Sequence, residues 1–172
     1  MGERKKEKKK TREKERPEAM DAAAGYISTS MRSGWEVSQY LRRKEYTEEE
    51  IRDVIGRMTE LGYIDDEEYC RVFIEKSIRK GHGTGRIKSE LVRKRNIEPA
   101  TVERICEDMI LPEDERMRAM DIAEKIADGR AADEKIKGRI GRRLSYYGFS
   151  ADTIYWVLGN IKKDAEDRDV YE

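Results

Sequence analysis

The run Lys80-Gly81-His82-Gly83-Thr84-Gly85-Arg86 is the stretch of this chain most suited to chemistry, because glycine-rich turns entering a helix can aim backbone N–H groups at a phosphate. Its surroundings argue against that use. A Walker loop ends in a spaced Gly-Lys-Ser/Thr and a dinucleotide turn follows a strand, whereas this turn follows a helical stretch. It reads instead as a helix-to-helix turn in which Thr84 caps a helix from Arg86 to Lys94. His82 is the only histidine, so a histidine metal site or a Cys/His dyad has no partners nearby, and His82 is expected on an exposed loop. Asp65-Asp66-Glu67-Glu68 offers paired carboxylates for acid–base or metal work. Acidic side chains at a helix start are also favoured by its free amides and dipole, and capping is the better account. Cys70 and Cys106 belong to no CxxC pattern and fall among helical apolar positions, where a reduced cysteine packs as a small hydrophobe. No catalytic residue, metal ligand or cofactor is expected, and the chain is not expected to be an enzyme.

Two basic stretches hold more promise. Between Arg79 and Arg104 eight Lys/Arg face three glutamates, and from Lys135 through Lys137, Arg139, Arg142 and Arg143 no acidic residue follows until Asp152. At helical spacing Lys135, Arg139, Arg142 and Arg143 fall near one face, as do Arg86, Arg93 and Lys94. Such faces suit phosphates or an acidic protein groove; in so charged a chain they also suit plain solvation.

The elements that carry these residues are helices in a repeating order. Glu18 to Met31 is helical in pattern, Ser33 and Gly34 break it, and a short helix from Trp35 to about Arg43 follows. Thr47-Glu48-Glu49-Glu50 is a capping-box pattern, after which Ile51, Val54, Ile55, Met58 and Leu61 recur at helical spacing up to Gly62. The grammar returns from Asp65 or Asp66, through the glycine-rich turn, to a helix starting near Pro99. It returns again from Arg116, with a break near Gly129, a helix from about Asp133 to Tyr147 and a last helix capped by Ser150. Aligning Leu41, Leu91 and Leu144 puts Tyr46, Ile97 and Phe149 at the following turns, where each is expected to staple the turn to the core. The period is about 50 residues, within the range of stacked helical units.

Composition agrees. Charged residues are 43% of the 172, apolar ones 37% and aromatics 8%, which suits slender helices with wide solvated faces and a thin core. Basic and acidic residues both number 37, so net charge names no partner. Met1 to Ala19 carries nine basic and five acidic residues, too little apolar surface to offset chain ordering, and is expected to be a disordered arm. No apolar run approaches the roughly 20 residues that cross a bilayer, so a cytoplasmic protein without a membrane partner is expected.

The residues then carry a resemblance. Leu61-Gly62-Tyr63-Ile64-Asp65-Asp66, Arg86-Ile87-Lys88-Ser89-Glu90-Leu91 after a glycine-rich turn, and Leu144-Ser145-Tyr146-Tyr147-Gly148-Phe149-Ser150 are together similar to the RecX family, regulators of the bacterial RecA recombinase. The likeness covers about residues 20–161. Tyr147 stands where the family usually has a base, Glu45 where it has glycine, and the turn Lys94-Arg95-Asn96-Ile97 is one residue longer, with Asn96 in the left-handed position.

The fold expected is all-α, three tandem three-helix repeats (20–66, 67–115 and 116–161) between a disordered basic N-terminal arm (1–19) and a charged C-terminal tail (162–172). The resemblance implies an elongated, curved array of nine helices. It further implies a protein that lies in the groove of a RecA filament on single-stranded DNA and suppresses recombinase activity, in the regulation of DNA repair and recombination; a monomer is expected because the repeats bury their faces internally. Arg86, Lys88, Arg93, Lys94, Arg139, Arg142 and Arg143 are the contact residues expected from clustering on the central helices. A general nucleic-acid binder, acting through its arm and basic helices, and a helical-repeat adaptor for another protein are the alternatives.

Overall fold

The computed structural model describes residues 17–161, so the expected arm as far as residue 16 and the expected tail lie outside the described residues. Within these the chain is nine helices and no strand: α1 (Ala19–Ile27), α2 (Gly34–Arg43), α3 (Glu48–Glu60), α4 (Asp66–Arg79), α5 (Thr84–Arg95), α6 (Pro99–Met109), α7 (Pro112–Ala127), α8 (Glu134–Tyr147) and α9 (Ala151–Asn160). Two ends differ from expectation by four residues each. Ser28 and Thr29 turn their hydroxyls back onto the carbonyls of Gly25 and Tyr26 and close α1 four residues before Met31. Pro112 at the first position of α7 starts that helix ahead of Arg116, since its fixed φ suits a helix start.

Three tandem three-helix repeats are visible in what each segment buries. Val37 and Leu41 on α2, Ile87 and Leu91 on α5, and Ile140 and Leu144 on α8 are all at 0% exposure, one helical turn apart in each case. Each of these helices ends alike. Glu45, Asn96 and Gly148 take positive φ, and the next residue, Tyr46, Ile97 or Phe149, turns inward to 5% exposure. The amides of those three residues donate to the carbonyls of Leu41, Leu91 and Leu144, using acceptors that a helix end otherwise leaves free.

The chain divides after Tyr69, within α4, into two compact units. In the first, α1, α2 and α3 pack on one another around Ala23, Val37, Leu41, Ile51, Val54 and Met58. Ser33 with Glu36, and Thr47 with Glu50, form capping boxes that start α2 and α3. Asp65 accepts from the amide of Glu68 to open α4. Asp66, the first residue of α4, accepts from the amide of Gly34 at the start of α2 at 2.9 Å. Tyr46 donates its hydroxyl to the carbonyl of Pro17 at 2.6 Å and so ties down residues just before α1, which already includes Ala19.

In the second unit α5 packs on α6, and α7, α8 and α9 pack together. Ala119, Ala123 and Ala127 line the inner face of α7 against Ile140, Leu144 and Val157; their small side chains let the helices approach closely. The device at Asp66 recurs: Glu115 of α7, only 9% exposed, accepts from the amide of Thr84 at the start of α5 at 2.7 Å. Cys70 and Cys106 are buried free thiols, and burial pushes the Cys106 thiol up to about 11, so it packs as a neutral group.

Backbone meets backbone in this unit. The amide of Gly83 donates to the carbonyl of Tyr147 at 2.9 Å. A Cβ on Gly83 would lie 2.5 Å from the Phe149 nitrogen, and one on Gly148 would lie 2.4 Å from the Arg86 Cβ. Gly83→Ala and Gly148→Ala are each expected to cost about 1–3 kcal/mol of stability. Gly25→Ala in α1, where an added Cβ meets nothing within 4 Å, is expected to stabilise by about 0.5–1 kcal/mol. Urea unfolding of the three variants checks this, and unchanged midpoints for Gly83→Ala and Gly148→Ala would show that the turns can part without cost.

Candidate macromolecule-binding face

The close contact of the two turns corrects the sequence reading of Thr84. Gly83 occupies the N-cap position of α5, without a side-chain cap, and Thr84 is the first helical residue. With the turn pressed on Gly148, no side chain fits at the cap, and Glu115 supplies the acceptor from another helix. The Thr84 hydroxyl is buried without a partner. His82 also departs from the exposed loop expected: it is half-buried, its ring centroid 6.4 Å from that of Tyr147.

On α8 the buried stripe of Ile136, Ile140 and Leu144 fixes what points outward. Arg139, Arg142 and Arg143 are exposed, and among the described residues none has a carboxylate partner. Lys137, by contrast, pairs with Glu134 at 3.0 Å. Arg143 donates to the Tyr147 hydroxyl at 2.8 Å and lies 4.6 Å from the centre of that ring. Tyr146 is 69% exposed, with the guanidinium carbons of Arg86 and Arg143 each 5.9 Å from its ring centre. Arg139, Arg142, Arg143 and Tyr146 line a shallow open hollow with Ile126.

The α5 residues are differently placed. Arg86 donates to Glu90 at 3.0 Å, and Lys94 lies 3.6 Å from the same carboxylate oxygen. Burial pushes the Glu90 carboxyl up, but the hydrogen bond from Arg86 and the charges of Lys94, Arg86 and His82 outweigh it and hold it below the usual range. Lys88 donates to Glu103 at 2.6 Å, bridging α5 to α6. Of the seven expected contact residues, the structure gathers Arg139, Arg142 and Arg143 on one face and brings Arg86 to it through Tyr146. Lys88 and Lys94 sit beside carboxylates. Arg93 is exposed, two turns and about 10 Å along α5 from Arg86. A fixed carboxylate beside a cation offsets its field, so the α8 face carries the less compensated positive charge.

Sequence reasoning missed Tyr146 and Tyr147. The signal was present in Arg142-Arg143-Leu144-Ser145-Tyr146-Tyr147, which places guanidinium and ring one turn apart on a helix.

The family model for the first three-helix domain of RecX matches residues 19–58. The regulatory protein RecX of Vibrio parahaemolyticus serotype O3:K6 is 32% identical over 145 residues, which span 84% of this chain and 92% of that protein. The protein of the same name from Lactobacillus delbrueckii subsp. bulgaricus is 25% identical over 151 residues, or 87% of this chain, and the chain spans only 55% of its length. The crystal structure of RecX from Lactobacillus salivarius shares the fold with a TM-score of 0.74 at 24% identity, covering 82% of this chain and 92% of that one. No helix among the described residues is long and apolar enough to cross a membrane.

Beside this face, burial lowers the pKa of His82 below its usual 6.5, and the charges of Arg86 and Lys80 add to the effect against the opposing charge of Glu90. The folded protein therefore holds fewer protons than the unfolded chain once the pH falls to about 6.5. Stability is expected to decline as the pH drops from 7.5 through that value, and His82→Asn is expected to flatten this part of the profile. Thermal melts of both proteins between pH 7.5 and 5.5 measure it, and identical slopes would remove His82 as the source.

Proposed function

The chain belongs to the RecX family, and from that membership we propose that it binds filaments of the RecA recombinase on single-stranded DNA and mainly inhibits them. It acts in the cytoplasm as a monomer that regulates DNA repair and recombination and turns over no substrate of its own. The observation that carries this reading to particular residues is the α8 face, where Arg139, Arg142 and Arg143 are exposed without a carboxylate partner among the described residues. Long-range attraction to an anionic filament comes from such uncompensated charge. The contact surface comprises Arg86, Lys88, Arg93, Lys94, Arg139, Arg142 and Arg143, with the α8 arginines dominant.

The repeats, at 20–66, 67–115 and 116–161, spread the contact over several helices, so affinity needs no deep pocket. Inhibition then follows from selective binding. A protein that favours one filament state opposes the rearrangements of ATP hydrolysis and strand exchange by its difference in affinity between states.

Added substoichiometrically to preformed filaments, the protein is expected to lower the single-stranded-DNA-dependent ATPase rate of the cognate RecA in a dose-dependent way. Deleting Met1 to Arg16 is expected to preserve the effect. Reversing Arg139, Arg142 and Arg143 to glutamate is expected to raise the concentration for half-inhibition by about tenfold or more, the equivalent of about 1.4 kcal/mol. Replacing Lys88 and Glu103 together, by Met and Gln, is expected to change it less than about threefold, because the pair carries no net charge. Full inhibition by the triple variant would remove the α8 face from the contact. Unchanged ATPase with arm-dependent DNA binding would leave a generic nucleic-acid binder.

A further inference from the structure

We infer that Tyr146 is a base-stacking platform and that the α8 face takes a short length of single-stranded nucleic acid, with phosphates on Arg139, Arg142 and Arg143. The inference rests on the proposed role at filaments and adds a ligand class to the same face. Three features of the structure support it together.

The first is exposure. Tyr146 shows 69% of its surface on a helix whose apolar residues otherwise turn inward, and neither its ring nor its hydroxyl closes the core. The second is what surrounds it. Arg86 and Arg143 approach the ring from two helices, and Arg143 is anchored by the Tyr147 hydroxyl, so ring and cations are positioned before any ligand arrives. A base laid on Tyr146 takes a π face near which guanidinium groups already stand, 5.9 Å from the ring centre, the pairing of stacking and cation–π attraction that holds unpaired bases. The third is the line of charge. Lys135, Arg139, Arg142 and Arg143 lead along the exposed side of α8 to Tyr146, about 16 Å of helix at about 1.5 Å per residue. At about 3.4 Å or more per nucleotide that length accepts about three to five nucleotides.

Single strands fit better than the alternatives. A duplex keeps its base faces stacked on one another and offers Tyr146 nothing. An acidic peptide satisfies the arginines but does not call for the flat face of the ring beside them.

The test uses the full chain and two labelled oligomers of equal length, oligothymidylate and its abasic counterpart, which share phosphates and differ in bases. Fluorescence anisotropy at low salt is expected to give tighter binding of oligothymidylate. Tyr146→Ala is expected to weaken that binding about 5- to 150-fold, the range of one stacked base, and to leave abasic binding unchanged. Tyr146→Phe is expected to bind as the parent does. Circular dichroism checks that each variant keeps its helices. Equal effects of Tyr146→Ala on both oligomers, or none on either, would overturn the inference, as would binding to recombinase with no affinity for either oligomer. The ATPase assay separates the two claims: inhibition without base-dependent binding keeps the filament role and loses the platform, and base-dependent binding without inhibition does the reverse.

Discussion

The amide of Gly83 donates to the carbonyl of Tyr147, and the α5 side of the proposed binding face depends on that one contact. It places the start of α5 against the end of α8, two helices whose buried faces point at different partners. Arg86 stands on α5 and Tyr146 on α8, so their approach to 5.9 Å follows from the backbone contact and not from any affinity between the side chains. Cation–π attraction at an exposed site is worth only about 0.5–1 kcal/mol, too little to bring helices together. The glycines act first: with no Cβ at 83 or 148 the two turns touch, and the aromatic and basic groups take the positions that remain.

A thin core makes helix ends expensive, because many of them are neither deep in the interior nor fully in water. This chain answers the demand at nearly every end. Ser33, Thr47, Asp133 and Ser150 cap their own helices. Glu45, Asn96 and Gly148 reverse the chain after the central helices, and Asp66 and Glu115 reach across from other helices. Glu45 is the costliest of the three reversals, since glycine adopts left-handed backbone freely and asparagine tolerates it, whereas a glutamate there is strained. The burial of Tyr46 at 5% offsets that cost.

The all-helical repeat was legible because its evidence is local. Capping boxes lie within four residues, the apolar stripes recur at helical spacing, and the stapling residues sit five or six residues after each buried leucine. The start of α7 was misplaced although its signal, Pro112, is local; the cap of α5 was misplaced because it depends on something distant. Thr84 has the chemistry of a cap, and only the proximity of Gly148 and Glu115, 31 residues away from Thr84 in the latter case, moves the cap elsewhere. His82 reads as a loop histidine until Tyr147 is brought beside it. For the binding face, sequence found every arginine on α8 but could not tell charged residues with internal partners from those without. Glu90 and Glu103 compensate α5 through one contact four residues apart and another fifteen residues apart, and only the second is invisible to helical spacing.

Asp66 and Glu115 each close a helix begun about thirty residues earlier, 32 and 31 in sequence separation. During synthesis the central helix of one repeat therefore leaves the ribosome before the carboxylate that completes its first turn. Its amide stays open to water until the helix two places further along the chain, whose first turn carries that carboxylate, has been made. A three-helix segment cut off before Asp66 or Glu115 would therefore leave the amide of Gly34 or Thr84 without its acceptor.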